Sequence, residues 1–376
     1  MKRRDFVKLA AGGCGMAAAG RALAAGATAK KAPKMPTPKK TDDGLTWHNV
    51  QDWGVEGRGW DETERYFDRL PAKAKSMVRG PVWGLSRHSS GMCVRFETDA
   101  TSISAKWTLL SKGLAMNHMP ATGVSGLDLY AQDEQGRWRW VAIGRPVRQE
   151  MKARLVAGLR PGRRAYMLYL PLYNGTNSLE IGVSPKAAFQ GLPPRTKPIV
   201  FYGTSIMQGG CASRPGMVHS AILGRRLDRA TLNLGFSGNG RMDAELATLM
   251  AELDASAYVL DALPNMQATE VAQRADPFVH TLRNARPATP IVLVEDRTYQ
   301  HAWLVPSARK RNDTSRAALR KAYDRLVAAG VKGLHYVEGE HLFGDDGEAS
   351  VDGSHATDLG FMRQADALEP ILRKLL

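Results

Sequence analysis

Cysteine is scarce: Cys14, Cys93 and Cys211 are the only three in 376 residues. Three cysteines cannot staple a disulfide scaffold, so a chain of this length must hold together through an apolar core. Cys93 and Cys211 are expected to stay separate. Neither His-x-x-x-His nor Cys-x-x-Cys occurs, so the sequence implies no metal and no cofactor. No apolar run reaches the ~18–20 residues of a membrane span, and stable membrane insertion is not expected. Acidic residues are outnumbered 37 to 52, for a net charge of +15. Such an excess suits a nucleic-acid partner, but it is unevenly spread. Residues 1–40 hold ten Lys/Arg and one Asp, a net +9, which leaves +6 for everything after Lys40. That remainder carries no dense basic-aromatic stripe, and a nucleic-acid partner is excluded.

The basic start has a different reading. Arg3 and Arg4 form a twin-arginine pair, followed by Phe6, Val7 and Lys8 and then by an Ala/Gly-rich run. Ala22-Leu23-Ala24 resembles a leader-peptidase site. Charge, run and site in this order predict a twin-arginine leader over residues 1–25 and a periplasmic or secreted protein. Gly12-Gly13-Cys14 fits a lipoprotein cysteine only loosely, because the apolar run lies mostly after Cys14, so lipid anchoring is not expected. Residues 26–44 are rich in Lys, Pro and Thr and read as a disordered linker.

After the linker the chain changes period partway. Residues 92–98 and 102–109 alternate apolar and polar side chains, as half-buried strands do. Residues 126–130 and 138–143 flank a polar turn, and residues 165–171 and 178–183 flank Asn174-Gly175, a strong hairpin signal. Residues 45–190 therefore read as an all-β jelly-roll or sandwich domain. The stiff segment Pro193-Pro194-Arg195-Thr196-Lys197-Pro198 is a natural boundary. Beyond it, over residues 196–376, five short apolar runs near 199–202, 231–234, 257–260, 291–294 and 334–337 alternate with helical patterns. Those patterns cover residues 218–227, 242–253, 277–285, 314–329 and 358 onward. Five such repeats predict an α/β three-layer sandwich around a parallel five-stranded, flavodoxin-like sheet.

In open α/β sheets, ligands bind at the carboxyl ends of the strands. Four polar segments fall there. Gly203-Thr204-Ser205-Ile206 ends the first strand, and a serine in that place is either a nucleophile or the cap of the next turn. Gly235 to Gly240, with three glycines, follows the second strand. Leu263-Pro264-Asn265-Met266 follows the third, and Asp352-Gly353-Ser354-His355 precedes the last helix. Each is weak alone; their order along one sheet edge is not.

These blocks resemble those of the SGNH (GDSL-type) hydrolases, with Ser205, Gly238, Asn265 and the Asp352/His355 pair at the matching positions. Gly126-Leu127-Asp128-Leu129-Tyr130 is similar to the signature of a β domain that precedes some members. Thr204 stands where the general pattern has Asp, and Pro264-Asn265-Met266 replaces Gly-x-Asn-Asp; neither change removes a catalytic group. The resemblance implies an esterase in which His355 takes the Ser205 proton and Asp352 orients His355. The Ser205 and Gly238 N–H groups and the Asn265 amide would then bind the oxyanion. Gln208 and Arg214, just after the serine, are expected to line the substrate pocket. The implied substrate is a small ester, in particular an acetylated glycan. A lipase, lysophospholipase or thioesterase on the same scaffold is the enzymatic alternative, and a catalytically inert glycan-binding surface protein is the other.

Overall fold

Period-two alternation folds the first half into two antiparallel sheets. A computed structural model describes Lys39–Lys40 and residues 44–376; the expected leader, with Arg3, Arg4 and Cys14, lies outside the described residues. The strands are β1 (Lys39–Lys40), β2 (Thr46–Asn49), β3 (Cys93–Thr98), β4 (Ser102–Leu109), β5 (Leu127–Gln132), β6 (Trp138–Gly144), β7 (Glu150–Ala157), β8 (Arg164–Tyr169), β9 (Thr176–Val183) and β10 (Phe189–Leu192). One sheet runs β1-β2-β9-β4-β7 and the other β10-β3-β8-β5-β6. Their inner faces bury Phe96, Ile103, Trp107, Leu129, Leu168 and Ile181 in one core, as two packed sheets must. Lys39 and Lys40 of the expected linker pair as strand with Trp47 and Thr46. Cys93 and Cys211 are both buried and unbonded.

The second half supplies β11 (Ile199–Gly203), β12 (Thr231–Gly235), β13 (Ala257–Asp261), β14 (Ile291–Val294) and β15 (Leu334–Val337), all parallel in the order β12-β11-β13-β14-β15. Among the described residues the α-helices are α1 (Gly80–Ser86), α2 (Ala121–Val124), α3 (Ser205–Gln208), α4 (His219–Arg226), α5 (Ala244–Ala251), α6 (Ala268–Ala285), α7 (Pro306–Ala328) and α8 (Asp358–Leu375). Helices α5, α6 and α7 cover one face of the parallel sheet, and α4 and α8 the other. Its central strands are buried throughout, which is why they read as unbroken apolar runs. Two helices start earlier than the sequence suggests. Pro277 marks no beginning but lies inside α6, which opens where the Gln267 N–H donates to Glu270 (2.9 Å). Helix α7 opens at Pro306, eight residues before the expected start, because Pro is favourable in a first turn. Among the described residues, no helix is long and apolar enough to cross a membrane.

The halves are joined through charge as well as apolar contact. Leu70, Ala74 and Val82 pack into the core under α5 and α6. Arg69 is fully buried among four backbone carbonyls, those of Leu85 (2.7 Å), His88 (2.9 Å), Asn233 (3.0 Å) and Gly235 (2.8 Å). On the opposite side, Asp128 of β5 is completely buried and accepts from Arg214 (2.8 Å), the Gly216 N–H (2.8 Å) and the Trp140 indole (3.0 Å). Burial pushes the Asp128 carboxyl up, and the Arg214 charge opposes that shift. Arg214→Ala would strand this carboxylate. We expect it to cost about 3 kcal/mol of stability, the lower end for breaking a buried pair, with partial recovery in Arg214→Met/Asp128→Asn. Urea denaturation checks this; an unchanged midpoint for Arg214→Ala would mean that the pair does not hold the halves together.

Candidate active site

The parallel register sets Gly203, Gly235 and Asp261 side by side at the carboxyl edge of the sheet. The three loops that leave these residues therefore start at one level. The first enters α3 directly. Thr204 caps it, its hydroxyl accepting from the Ile206 N–H (3.3 Å), and Gly209 closes it in a left-handed conformation (φ +108°). So short a turn holds Ser205 at its N-terminal end. The Ser205 carbonyl accepts from Gly210 N–H (2.7 Å), Gly209 N–H (3.0 Å) and the Tyr173 hydroxyl (3.1 Å).

Ser205 is 7 % exposed, and its Oγ lies 2.8 Å from His355 Nε2. His355 Nδ1 lies 2.7 Å from Asp352 Oδ2. The Asp352 carboxylate can only accept, so Nδ1 carries the ring proton and Nε2 is left to accept from the Ser205 hydroxyl. Asp352 also accepts from the Ser354 (3.0 Å) and His355 (2.8 Å) N–H groups through Oδ1. Partial burial pushes its carboxyl up, but the hydrogen bonds from His355 and Ser354 outweigh that and hold it below the ordinary range. This is a hydroxyl with a base in reach and an oriented base behind it, the requirement for nucleophilic catalysis.

The second loop carries Gly238 in a left-handed turn (φ +68°) that only glycine adopts freely. A Cβ on Gly240 would meet the Gly203 carbonyl at 2.0 Å, so the loop can lie flat on the end of β11 only with glycine there. Among the described residues, neither the Ser205 nor the Gly238 N–H has a protein acceptor. Asn265 is half-buried on the turn after β13, and its buried Oδ1 has no hydrogen-bond partner. These are unspent polar groups around the serine's sheet edge.

Gln208 is closed off from solvent, and Arg214 lines a cavity of about 480 Å³ with Tyr130, Trp138 and Arg225 whose lining does not include Ser205 or His355. Gln208 is fully buried: its Oε1 accepts from the Ser237 N–H (3.0 Å), while Nε2 donates to His88 Nδ1 (3.0 Å) and the Leu172 carbonyl (3.3 Å). It braces the Gly238 loop from beneath. Arg214 is committed to Asp128 and the Tyr130 hydroxyl. Gln208 ends α3 with its side chain buried, and Arg214 lies six residues beyond that helix, where it reaches β5.

Other residues reach the site without a sequence signal. His118, on the loop between β4 and α2, sits with its ring centroid 6.2 Å from that of His355. Tyr173, which the sequence marks only as part of a hairpin, donates its hydroxyl to the Ser205 carbonyl. The β half thus forms one side of the site. Arg311 of α7 clamps the Asn265 turn, donating to the Leu263 (3.0 Å) and Met266 (2.6 Å) carbonyls. Asp261 is locked in a buried pair with Arg297. Among the described residues, no group of His, Cys, Asp and Glu could hold a metal ion.

Acid sensitivity is built into the histidines that folding covers. Burial pushes His48 and His88 down to about 4 and His219 to about 3. In the unfolded chain each titrates near 6.5. Below that value the unfolded state takes up protons and the folded state does not. Stability is therefore complete above about pH 6.5 and is lost as pH falls toward 4, by on the order of 2 kcal/mol per histidine at pH 5. Protonated His88 would also oppose the Gln208 amide and loosen the Gly238 loop. The melting temperature should drop between pH 7 and 5, and less steeply in His219→Leu; a flat profile would refute this linkage.

Comparison with known proteins agrees with this geometry. Residues 196–373 match the profile of the GDSL-like lipase/acylhydrolase family, and residues 45–189 the profile of the N-terminus of SGNH-hydrolase-type esterases. A GDSL-like lipase from Bacteroides ovatus is 34 % identical, with a TM-score of 0.83 over 88 % of this chain and 98 % of its own. A salicylyl-acyltransferase from a tetracycline biosynthetic pathway is 19 % identical, with a TM-score of 0.72 over 89 % and 98 % of the two chains. A family two carbohydrate esterase from Cellvibrio japonicus shares the fold at 14 % identity, with a TM-score of 0.57 over 88 % and 98 %. No curated protein sequence matches. By sequence and by structure, the chain belongs to the GDSL-like lipase/acylhydrolase family of ester-hydrolysing serine enzymes.

Proposed function

We propose that this protein hydrolyses small O-acyl esters, acetyl groups on a carbohydrate above all. The single observation that carries the reading is the relay from Ser205 Oγ to His355 Nε2 (2.8 Å) and from His355 Nδ1 to Asp352 (2.7 Å). His355 removes the hydroxyl proton as Ser205 Oγ bonds to the acyl carbon, and the carbonyl oxygen takes the negative charge. The Ser205 and Gly238 N–H groups and the Asn265 amide are the donors for that oxyanion. His355 then returns the proton to the leaving alcohol oxygen. Water, deprotonated by the same ring, releases acetate and restores the serine.

A short acyl group is favoured by what surrounds the serine. His118, Tyr173 and Asn265 are polar or half-polar, and Ser205 itself is nearly buried. A long apolar chain would meet these polar groups without offering them hydrogen bonds. The carbohydrate part is supported by analogy of fold with the Cellvibrio esterase, an associational argument. The test is acetate release from a panel of acetylated glycans, beside turnover of p-nitrophenyl acetate, octanoate and palmitate. Faster turnover of octanoate or palmitate than of acetate would overturn the small-acyl reading.

A further inference from the structure

We propose that the cavity between the β14–α7 loop and the segment after β15 is a subsite for one pyranose ring of the substrate glycan, with Trp303 as its stacking face. This subsite rests on the carbohydrate reading and extends it to the part of the glycan that does not react. The cavity measures about 260 Å³, and its lining includes Tyr299, Gln300, Trp303, Arg309, Glu340 and Asp345.

Trp303 is 83 % exposed, more than any other large apolar side chain among the described residues. An indole left in water gains free energy when an apolar face covers it. Beside it, Glu340 accepts from Arg309 (2.7 Å) and Arg316 (2.6 Å). Those hydrogen bonds hold its carboxyl at about 2, against the opposing effect of partial burial. Its side chain remains 41 % exposed, so it can still accept from a ligand. Gln300 uses Oε1 twice, for the Ser350 N–H and hydroxyl (2.7 Å each), while its buried Nε2 has no partner.

The lining selects among ligands. Charges of both signs disfavour a fatty chain, and the Glu340 and Asp345 carboxylates disfavour an anion. An aromatic face beside fixed acceptors and donors suits a neutral ring with a C–H face and a hydroxyl rim. The cavity is also coupled to the reaction. The Gln300 N–H donates to the Gly353 carbonyl (3.0 Å), in the same loop as Asp352 and His355. Gly353 lies so close to His301 that a Cβ on it would meet the imidazole at 2.4 Å. A glycan held here lies beside the loop that carries the base.

Trp303→Ala removes an exposed side chain and leaves the catalytic groups in place. On acetylated xylo-oligosaccharides it should raise KM about tenfold at unchanged kcat. On p-nitrophenyl acetate kcat/KM should stay within about twofold, and Trp303→Phe should recover most of the loss. Equal losses on both substrates, or an unchanged KM on the oligosaccharide, would overturn the subsite. Fluorescence titration with unacetylated xylohexaose and cellohexaose separates the two readings. Saturable binding lost in Trp303→Ala upholds the subsite even if the wild-type enzyme deacetylates no glycan. Glycan turnover with neither binding nor a Trp303 effect removes the subsite and leaves the esterase reading intact.

Discussion

Ser205→Ala and His355→Ala should each abolish turnover, lowering kcat by about 10⁵–10⁶, the scale for removing a nucleophile or its base. The double variant should be little worse than either single one, because a serine without its base and a base without its serine fail for the same reason. Asp352→Asn should lose no more than about 10⁴. Asp352 is half exposed, and its Oδ1 contacts to the Ser354 and His355 N–H groups hold the loop together whatever the charge. A serine-directed phosphonate should add one adduct, mapping to Ser205. An adduct on another serine, or a Ser205→Ala enzyme with wild-type rates, would return Gly203-Thr204-Ser205 to the role of a helix cap.

Asn265→Ala is expected to lower kcat by about 10²–10³ with little change in KM, the effect of losing one oxyanion donor. The donor in this role is the Asn265 Nδ2 group, and Arg311 fixes the turn that carries it by donating to the Leu263 and Met266 carbonyls. Asn265→Asp should be worse still, because it sets a negative charge beside the developing oxyanion. A loss appearing entirely in KM would make Asn265 a ground-state contact and leave the oxyanion to the two N–H groups.

Much of this is legible in the sequence because it is local. Asp352 and His355 are three residues apart and meet within one turn. The central parallel strands are short apolar runs, and β11, β12 and β13 are each followed closely by a polar block at the carboxyl end. Less of the first half is legible. Strands β2 and β10 carry no strong sequence signal, and the segment around residues 60–90 contains α1 and packs against the second half. Strand β7 alternates polar and apolar residues from Glu150 to Leu155, as an edge strand with one face toward solvent does, so its signal is legible in the sequence.

By itself, the sequence determined the order of the strands' polar blocks, the βα alternation and the residue types able to run acyl transfer. All of these depend on neighbours within a few positions. Tertiary structure alone decided which polar residues face substrate and which are spent on the frame. Gln208 lies three residues from the nucleophile and is entombed under the Gly238 loop, while Arg214 spans 86 positions to neutralise Asp128. His118 lies 237 positions from His355 in the chain and ends beside it. A buried polar group must find its partner wherever the fold supplies one. That choice depends on which loops the sheets bring together, and no local pattern records it.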